Sequence, residues 1–155
     1  MHDQIEGILT SVLTAMNATF SGIVRSEIAG QHIFSIQTSD ARSLIGSHGD
    51  VLQALDLIVK KILEKQSTPD QAEQSRDAHF IIDVNDYRTQ QIKDLQTKAL
   101  MMAERARSFE YDVELTPMSA YERLIVHTTL QGAPNIKTES LGEGRGRRVV
   151  IKYTA

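Results

Sequence analysis

The chain of 155 residues contains no cysteine, no tryptophan and only three prolines. Without cysteine it has no disulfide framework, no thiolate nucleophile and no Cys-ligated zinc site. No apolar run approaches the ~20 residues that span a bilayer, and the start, Met1 to Gln4, lacks the basic residues of a secretory signal. We therefore expect a cytoplasmic protein that does not insert into a membrane.

Sequence signatures of catalysis are also missing. There is no G-x-S-x-G nucleophile elbow, and the glycine-rich turn at 142–146 lacks the G-K-[ST] ending of a phosphate-binding loop. His32, His48 and His79 with Asp83 resemble a metal-ligand set in composition only, because no pair of them has the spacing of a metal site. We therefore predict no catalytic residue, no metal site, no cofactor and no enzymatic activity.

Charge is unevenly distributed along the chain. The formal net charge of −3 argues mildly against a polyanionic partner, because phosphate binding depends on Lys and Arg. Residues 121–155, however, carry six basic side chains against three acidic ones, whereas residues 1–120 carry eleven against seventeen. This asymmetry indicates an anion-facing end on an otherwise acidic body.

The first half of the chain alternates between helical and strand patterns. Helical spacing of apolar residues predicts an opening amphipathic helix, marked by Ile5, Ile8, Leu9, Val12, Leu13 and Met16. Residues 20–28 and 32–38 predict a hairpin, and helical periodicity returns on both sides of a glycine loop at 46–49. The longer helix after this loop is marked by Val51, Leu52, Leu55, Ile58, Val59 and Ile62. A polar connection at 64–78 and a strand at 80–84 complete this half. In the strand, Phe80, Ile82 and Val84 alternate with Ile81 and Asp83.

The second half begins with a long helix that ends near Phe109 and continues with a short strand before Pro117. Ser119 and Glu122 form an S-x-x-E capping box, which predicts the start of another helix. Its inward face is predicted to contain Tyr121, Leu124, Ile125 and Thr128. Strands at 136–140 and 147–153 follow. The chain is thus an α+β protein, with one domain at 1–85, which has a three-stranded sheet with helices, and a second, small α/β domain at 86–155.

A G-x-x-G motif, Gly46-Ser47-His48-Gly49, lies between the two predicted helices of the first domain. Glycine allows a phosphodiester backbone to approach closely, and the following helix supplies unpaired N–H donors. The pattern alone is weak and is compatible with an ordinary helix–helix turn. Its position after a hairpin and between helices matches the K-homology arrangement, in which this loop clamps single-stranded nucleic acid.

Arg123 and His127 lie four residues apart on one face of the capped helix. A guanidinium and an imidazole placed together can hold a phosphate or stack on a base. Arg145, Arg147 and Arg148 follow in the last turn, and all are candidates to converge on one anion. The alternatives are an exposed structural pair and a charged turn that protects an edge strand.

The motifs together resemble the bacterial Jag/KhpB (SpoIIIJ-associated) family over residues 20–152. The resemblance rests on the G-x-x-G loop and on ordered segments at 83–88, 115–118, 121–123, 126–127, 138–140, 142–143 and 147–151. It implies a K-homology domain followed by an R-3-H (Arg-x-x-x-His) domain, both binding single-stranded nucleic acid. The implied contacts are Gly46 to Gly49 and the Arg123/His127 pair, and Arg88 and Lys137 are further candidates.

The resemblance also implies RNA regulation or chaperoning linked to cell envelope growth and division, with a small single-domain K-homology protein as partner. Three departures bear on this. The loop centre is Ser47-His48 where relatives tend to carry Lys or Arg, and 89–91 lack the arginines common in relatives. An extra N-terminal domain found in many relatives is not matched. The first two remove phosphate-pairing charge and predict weak or pH-sensitive binding.

Our leading hypothesis is a two-site binder of single-stranded RNA, with DNA as a competing ligand. One rival is a protein-interaction adaptor on a ribosome, a membrane insertase or a partner subunit, which the acidic first half favours. A second rival is a metal-dependent nuclease that uses His127 with neighbouring carboxylates.

Overall fold

The computed structural model describes residues 1–67 and 80–155 and divides the chain into two compact units, Met1–Thr89 and Gln90–Ala155. Most of the predicted polar connection at 64–78, and His79, therefore lie outside the described residues. Within the described ranges, no helix is both long and apolar enough to cross a bilayer.

The first unit is a three-stranded sheet packed against helices. Its elements are α1 (His2–Ala15), β1 (Gly22–Ile28), β2 (Gln31–Gln37), α2 (Ala41–Ile45), a 3-10 turn (Ser47–Gly49), α3 (Asp50–Gln66) and β3 (Phe80–Val84). The strand order is β1-β2-β3, in which β1 and β2 form an antiparallel hairpin and β2 and β3 run parallel. This arrangement confirms the predicted three-stranded sheet with helices and fixes the G-x-x-G loop between α2 and α3.

Helix and strand periodicities build the core of this unit. The helices contribute Ile5, Ile8, Leu9, Leu13, Leu52, Leu55, Val59 and Leu63, and the sheet contributes Phe34, Ile36, Phe80, Ile82 and Val84. The predicted face of α1 is confirmed except at Met16, which follows the helix and is half-exposed. Ile58 was also predicted to face the core but is exposed, because it lies about 100° around α3 from Val59.

All five residues of β3 are buried, so neither face of this strand is exposed to solvent, although its side chains alternate between the two faces. The Asp83 side chain is fully buried, and a buried polar side chain is costly unless it is hydrogen-bonded. It accepts from the backbone N–H groups of Arg88 (2.8 Å) and Thr89 (2.9 Å) and from the Thr89 hydroxyl (2.8 Å). These bonds tie β3 to the first turn of the next helix, whose N–H groups have no partner within the helix.

The second unit contains most of the long helix α4 (Tyr87–Phe109), followed by β4 (Val113–Glu114), α5 (Ala120–Leu130), β5 (Ile136–Leu141), a 3-10 turn (Gly144–Gly146) and β6 (Arg148–Tyr153). Its sheet has the order β4-β6-β5 with antiparallel pairing throughout. Its core combines small residues of α4 with apolar residues of α5 and β6 and with Leu115, which follows β4. The buried residues are Ala99, Ala103, Ala106, Leu115, Val126, Leu130, Val149 and Ile151.

The capping box predicted for α5 is confirmed. The Ser119 hydroxyl accepts from the backbone N–H of Glu122, while the Glu122 carboxylate accepts from the backbone N–H of Ser119. The predicted inward face was partly wrong: Ile125 is buried, but Leu124 is 36% exposed. Val126 and Leu130, one turn apart, instead pack into the core, so the buried stripe of α5 is rotated from the predicted one.

Candidate nucleic-acid interface

The G-x-x-G loop has a backbone conformation that depends on its glycines. Gly46 (φ 76°), His48 (φ 54°) and Gly49 (φ 82°) all lie in the left-handed half of φ space. A Cβ at Gly46 would collide with the Asp50 carboxylate and would lie 2.5 Å from Cγ2 of Val51. The loop therefore keeps this shape only with glycine at position 46.

Tyr87 supports the other end of the loop. Gly49 is buried, and a Cβ placed there would lie 3.3 Å from Cε1 of Tyr87. Ser47 and His48, in contrast, are exposed. The loop is thus held from one side by an aromatic ring and presents a hydroxyl and an imidazole to solvent.

The loop itself carries no Lys or Arg. Asp50 follows it as the first residue of α3 and accepts from the backbone N–H of Val51 at 2.8 Å. A carboxylate here competes with a ligand phosphate for the positive end of the helix. The nearest cation along the chain is Arg42, exposed on α2, whose carbonyl accepts from the Gly46 N–H at 3.0 Å. This site therefore offers mainly backbone and neutral polar groups.

In the second unit, β5 fixes the orientation of the His127 ring. Nδ1 of His127 lies 2.7 Å from Oγ1 of Thr138, and Nε2 lies 2.9 Å from Oγ of Ser140. Thr138 and Ser140 are two residues apart and so project from the same face of the strand. Burial lowers the pKa of His127, and the positive charge of Arg123 lowers it further, which favours the neutral ring.

Arg123 is anchored one turn earlier on α5. Its Nη1 donates to the Met118 carbonyl at 3.0 Å, and the Met118 N–H donates to the Arg147 carbonyl at 3.1 Å. A guanidinium has five N–H donors, and among the described residues only Met118 accepts a hydrogen bond from this side chain. Arg123 thus has donors to offer a ligand while its position is fixed by the backbone.

The three arginines of the last turn differ in their surroundings. Arg148 donates to the Glu114 carboxylate through Nε (3.0 Å) and Nη2 (3.3 Å), which lowers the pKa of Glu114. Arg147 is exposed and makes a long contact of 3.4 Å with the Gly142 carbonyl. Arg145 is exposed and has no side-chain hydrogen bond or ion pair within the described ranges. Among the described residues, Arg145 and Arg147 thus have no acidic partner, while Arg148 already has one.

The two further candidates, Arg88 and Lys137, differ in their surroundings. Arg88 donates to the Ile82 carbonyl at 3.2 Å and lies 3.6 Å from the Asp56 carboxylate, in the first unit. Lys137 is exposed on β5 opposite Lys152, on the sheet face away from Thr138 and Ser140. For the part of the chain that the structure describes, no cluster of three or more His, Asp or Glu residues is placed to hold a metal ion.

Comparison with known proteins finds a domain match and several relatives. Residues 93–153 match the model of the R-3-H (Arg-x-x-x-His) domain. A Bacillus subtilis (strain 168) protein named RNA-binding protein KhpB is 32% identical over 122 residues, which cover 77% of this chain and 55% of the relative. A protein of the same name from Clostridium symbiosum is 29% identical over 152 residues, which cover 97% of this chain and 65% of the relative. The chain is a relative of these KhpB proteins.

A third relative, RNA-binding protein KhpB of Streptococcus pneumoniae serotype 2 (strain D39 / NCTC 7466), is 32% identical over 116 residues, covering 75% of this chain but 33% of the relative. The chain therefore spans between one third and two thirds of the length of these KhpB proteins. The R-3-H match covers α5, β5 and β6, the elements that hold Arg123 and His127.

Sequence reasoning did not assign a role to several residues that shape the two candidate sites. Tyr87 supports Gly49, and the hydroxyls of Thr138 and Ser140 hold both nitrogens of His127. One signal was available for the hydroxyl pair, because Thr-x-Ser on a predicted strand places two hydroxyls on one face. No comparable signal pointed to Tyr87.

Proposed function

We propose that this chain binds single-stranded RNA and acts without turnover. The observation that carries the proposal is the Arg123/His127 pair, which β5 and the Met118 carbonyl hold in place inside the segment matched as an R-3-H domain. The relatives named RNA-binding protein KhpB support RNA as the ligand. Arg145 and Arg147 supply further cations at the start of β6.

The two units contribute differently in this proposal. The G-x-x-G loop holds the sugar–phosphate backbone through Gly46 to Gly49, and the second unit holds phosphates of the same or a second strand through arginine side chains. Two weak sites on one chain raise the overall affinity through effective concentration. Loss of either site should therefore weaken binding by more than that site's own affinity indicates.

Fluorescence anisotropy with a labelled single-stranded RNA tests the proposal. We expect binding by the intact chain at low salt, and weaker binding by Gly49→Asp and by Arg123→Ala. A labelled single-stranded DNA of the same sequence measures the preference between the two ligands. If the intact, folded chain does not bind RNA at low salt, the proposal is wrong.

An adaptor function is a second candidate, because α3 exposes apolar residues. Leu57 (58% exposed) and Ile58 (44% exposed) are adjacent on this helix, and Ala54 is exposed one turn earlier. The first unit is also acidic, with seven basic and twelve acidic residues over 1–89. Partners that remain bound after nuclease treatment in high salt would favour this function, and loss of all partners with nuclease would reject it.

The finer parts of the proposal rest on the family resemblance alone. They are a link to cell envelope growth and division, a small single-domain K-homology partner, and a cytoplasmic location. The absence of turnover is tested by incubation of RNA with the protein and divalent metals. Shortening of the RNA that His127→Ala abolishes would replace the binding proposal with the nuclease hypothesis.

A further inference from the structure

Both nitrogens of the His127 ring are already occupied by hydroxyl groups of β5. The contacts are 2.7 Å from Nδ1 to Thr138 and 2.9 Å from Nε2 to Ser140, both within ordinary hydrogen-bonding distance. A ligand phosphate that reached either nitrogen would have to displace one of these hydroxyls. The ring is therefore poorly placed to be the group that contacts the nucleic acid.

The neutral form of the His127 ring constrains the hydrogen bonds among His127, Thr138 and Ser140. A neutral imidazole has one N–H donor and one acceptor nitrogen. One hydroxyl must then donate its proton to the ring, and the other must accept the ring N–H. Only the accepting hydroxyl keeps its own proton available for a third group.

We propose that the Ser140 hydroxyl is a phosphate-contacting group of the second unit and that His127 is the positioning residue that holds it. In this arrangement Thr138 donates to Nδ1, while the Nε2–H of His127 donates to Ser140. The proton of Ser140 then points away from the ring toward a phosphate oxygen. This inference rests on the proposed RNA-binding function and names the atoms that carry it.

The position of Ser140 on β5 selects it rather than Thr138. Thr138 lies in the middle of the strand opposite Ile151, and Ser140 lies opposite Val149, and both of these partners are fully buried. Ser140 lies next to the strand end, two residues before Gly142, whose carbonyl contacts the Arg147 guanidinium at 3.4 Å. The Arg123 guanidinium donates to the Met118 carbonyl, and the Met118 N–H donates to the backbone carbonyl of Arg147. Ser140 is therefore the hydroxyl at the end of β5 that leads into the turn with Arg145 and Arg147.

The tautomer of His127 gives a test that does not require RNA. The proposal predicts the Nε2–H tautomer in the free protein, as measured by ¹⁵N chemical shifts and couplings of the ring in NMR spectra of the full chain. Thr138→Val removes the partner of Nδ1, so the ring signals should change in that variant. An Nδ1–H tautomer in the wild type would assign the free proton to Thr138 and would overturn the proposal.

A double-mutant cycle tests the contact itself, with fluorescein-labelled oligouridine as the probe. Ser140→Ala and His127→Ala should each weaken binding about tenfold, the loss expected for one hydrogen bond to a charged group. The double variant should be no weaker than either single one, because both remove the same oriented hydroxyl. Ser140→Thr keeps a hydroxyl group and should therefore bind more tightly than Ser140→Ala and nearly as tightly as the wild type. Ser108 is an exposed serine on α4, and Ser108→Ala should bind like the wild type.

Other outcomes separate the two levels of the proposal. If the wild type binds oligouridine and Ser140→Ala binds equally well, the role of Ser140 is wrong while RNA binding stands. If the two losses multiply in the double variant, His127 contacts the RNA independently, and the positioning role is wrong. If the folded wild type does not bind oligouridine at all, the proposed function fails first.

Discussion

The two units of this chain differ in the groups that they could offer to a ligand. Over residues 1–89 there are seven basic and twelve acidic residues, and the G-x-x-G loop carries no Lys or Arg. Over residues 90–155 there are ten basic and eight acidic residues, and three of the arginines, Arg123, Arg145 and Arg147, are candidates for phosphate contacts. The first site is thus made largely of backbone, and the second largely of cationic side chains.

This contrast separates two sources of affinity, which are contacts by neutral backbone groups and contacts between cations and phosphates. A cation that neutralises a phosphate releases a counterion, so its contribution falls as salt rises, by about 0.7 in the logarithmic slope per phosphate on a single strand. A backbone clamp made of neutral groups contributes with little such dependence. We therefore expect substitutions in the two units to have different effects on the salt dependence of binding.

The largest expected effect is that of Gly49→Ala. The added Cβ would lie 3.3 Å from Tyr87, so the ring or the loop must give by a few tenths of an ångström, and a non-glycine residue is strained at φ of 82°. We expect affinity for a single-stranded RNA to fall by roughly ten- to a hundred-fold, as one of two linked sites is lost. Anisotropy at low salt measures this loss.

Gly30→Ala is the matched control for that variant. Gly30 has a similar φ of 73°, but no atom of residues 1–67 or 80–155 lies within 4 Å of an added Cβ there. Both variants should lose about 1 kcal/mol of stability from the left-handed backbone, and only Gly49→Ala should lose affinity. An equal loss of affinity in both would show that the loop makes no specific contact with the RNA.

Arg123→Ala should weaken RNA binding by about tenfold, because the remaining guanidinium donors form charge-assisted bonds with phosphate. The slope of log K against log salt should become shallower by about 0.7. Arg105→Ala is the control, since Arg105 lies in the same unit and its Nε donates to the Tyr111 hydroxyl. A loss of affinity with an unchanged slope would indicate that Arg123 acts through structure.

His48→Arg should strengthen binding by a few-fold, because it adds a cation to an exposed loop position that has none. His48 already adopts a φ of 54°, so an arginine at this position has the same left-handed backbone. Because position 48 is exposed, the longer side chain does not have to fit into a buried space. The slope of log K against log salt should steepen by up to about 0.7. No gain in affinity would mean that the loop does not meet a phosphate.

The smallest expected effect is a pH dependence of stability through His127. Because its pKa is lowered in the folded chain, the unfolded chain binds this proton at higher pH than the folded chain does. The free energy of unfolding should be constant above the unfolded pKa of about 6.5 and should fall as the pH drops from there toward the folded pKa. Urea titrations of the wild type and His127→Gln should differ in pH slope only within this window, and identical slopes would contradict the shift.

The sequence was sufficient to predict features that depend on local periodicity and capping. The amphipathic α1, the hairpin of β1 and β2, and the start of α5 at Ser119 all follow from residues close together in the chain. The buried face of α5 was harder to predict, because Leu124 and Val126 are both apolar and only the position of the sheet decides which is covered.

Sequence reasoning proposed the cations of the candidate site, which stay a prediction, and did not propose the residues that hold them in place. The Arg148–Glu114 ion pair joins residues 34 positions apart, and the His127–Ser140 contact depends on where β5 lies beside α5. Such contacts follow from tertiary packing, which neither spacing nor composition specifies. The position of the G-x-x-G loop between two helices could be predicted, because the loop is four consecutive residues flanked by helical patterns.

The most direct test of two-site binding is the salt dependence of RNA affinity, measured by anisotropy for the wild type, Gly49→Ala and Arg123→Ala in parallel. We predict weaker binding by both variants, with a slope close to that of the wild type for Gly49→Ala and a slope shallower by about 0.7 for Arg123→Ala. Equal slopes for all three proteins, or a shallower slope for Gly49→Ala alone, would contradict the division between a backbone site and a charged site.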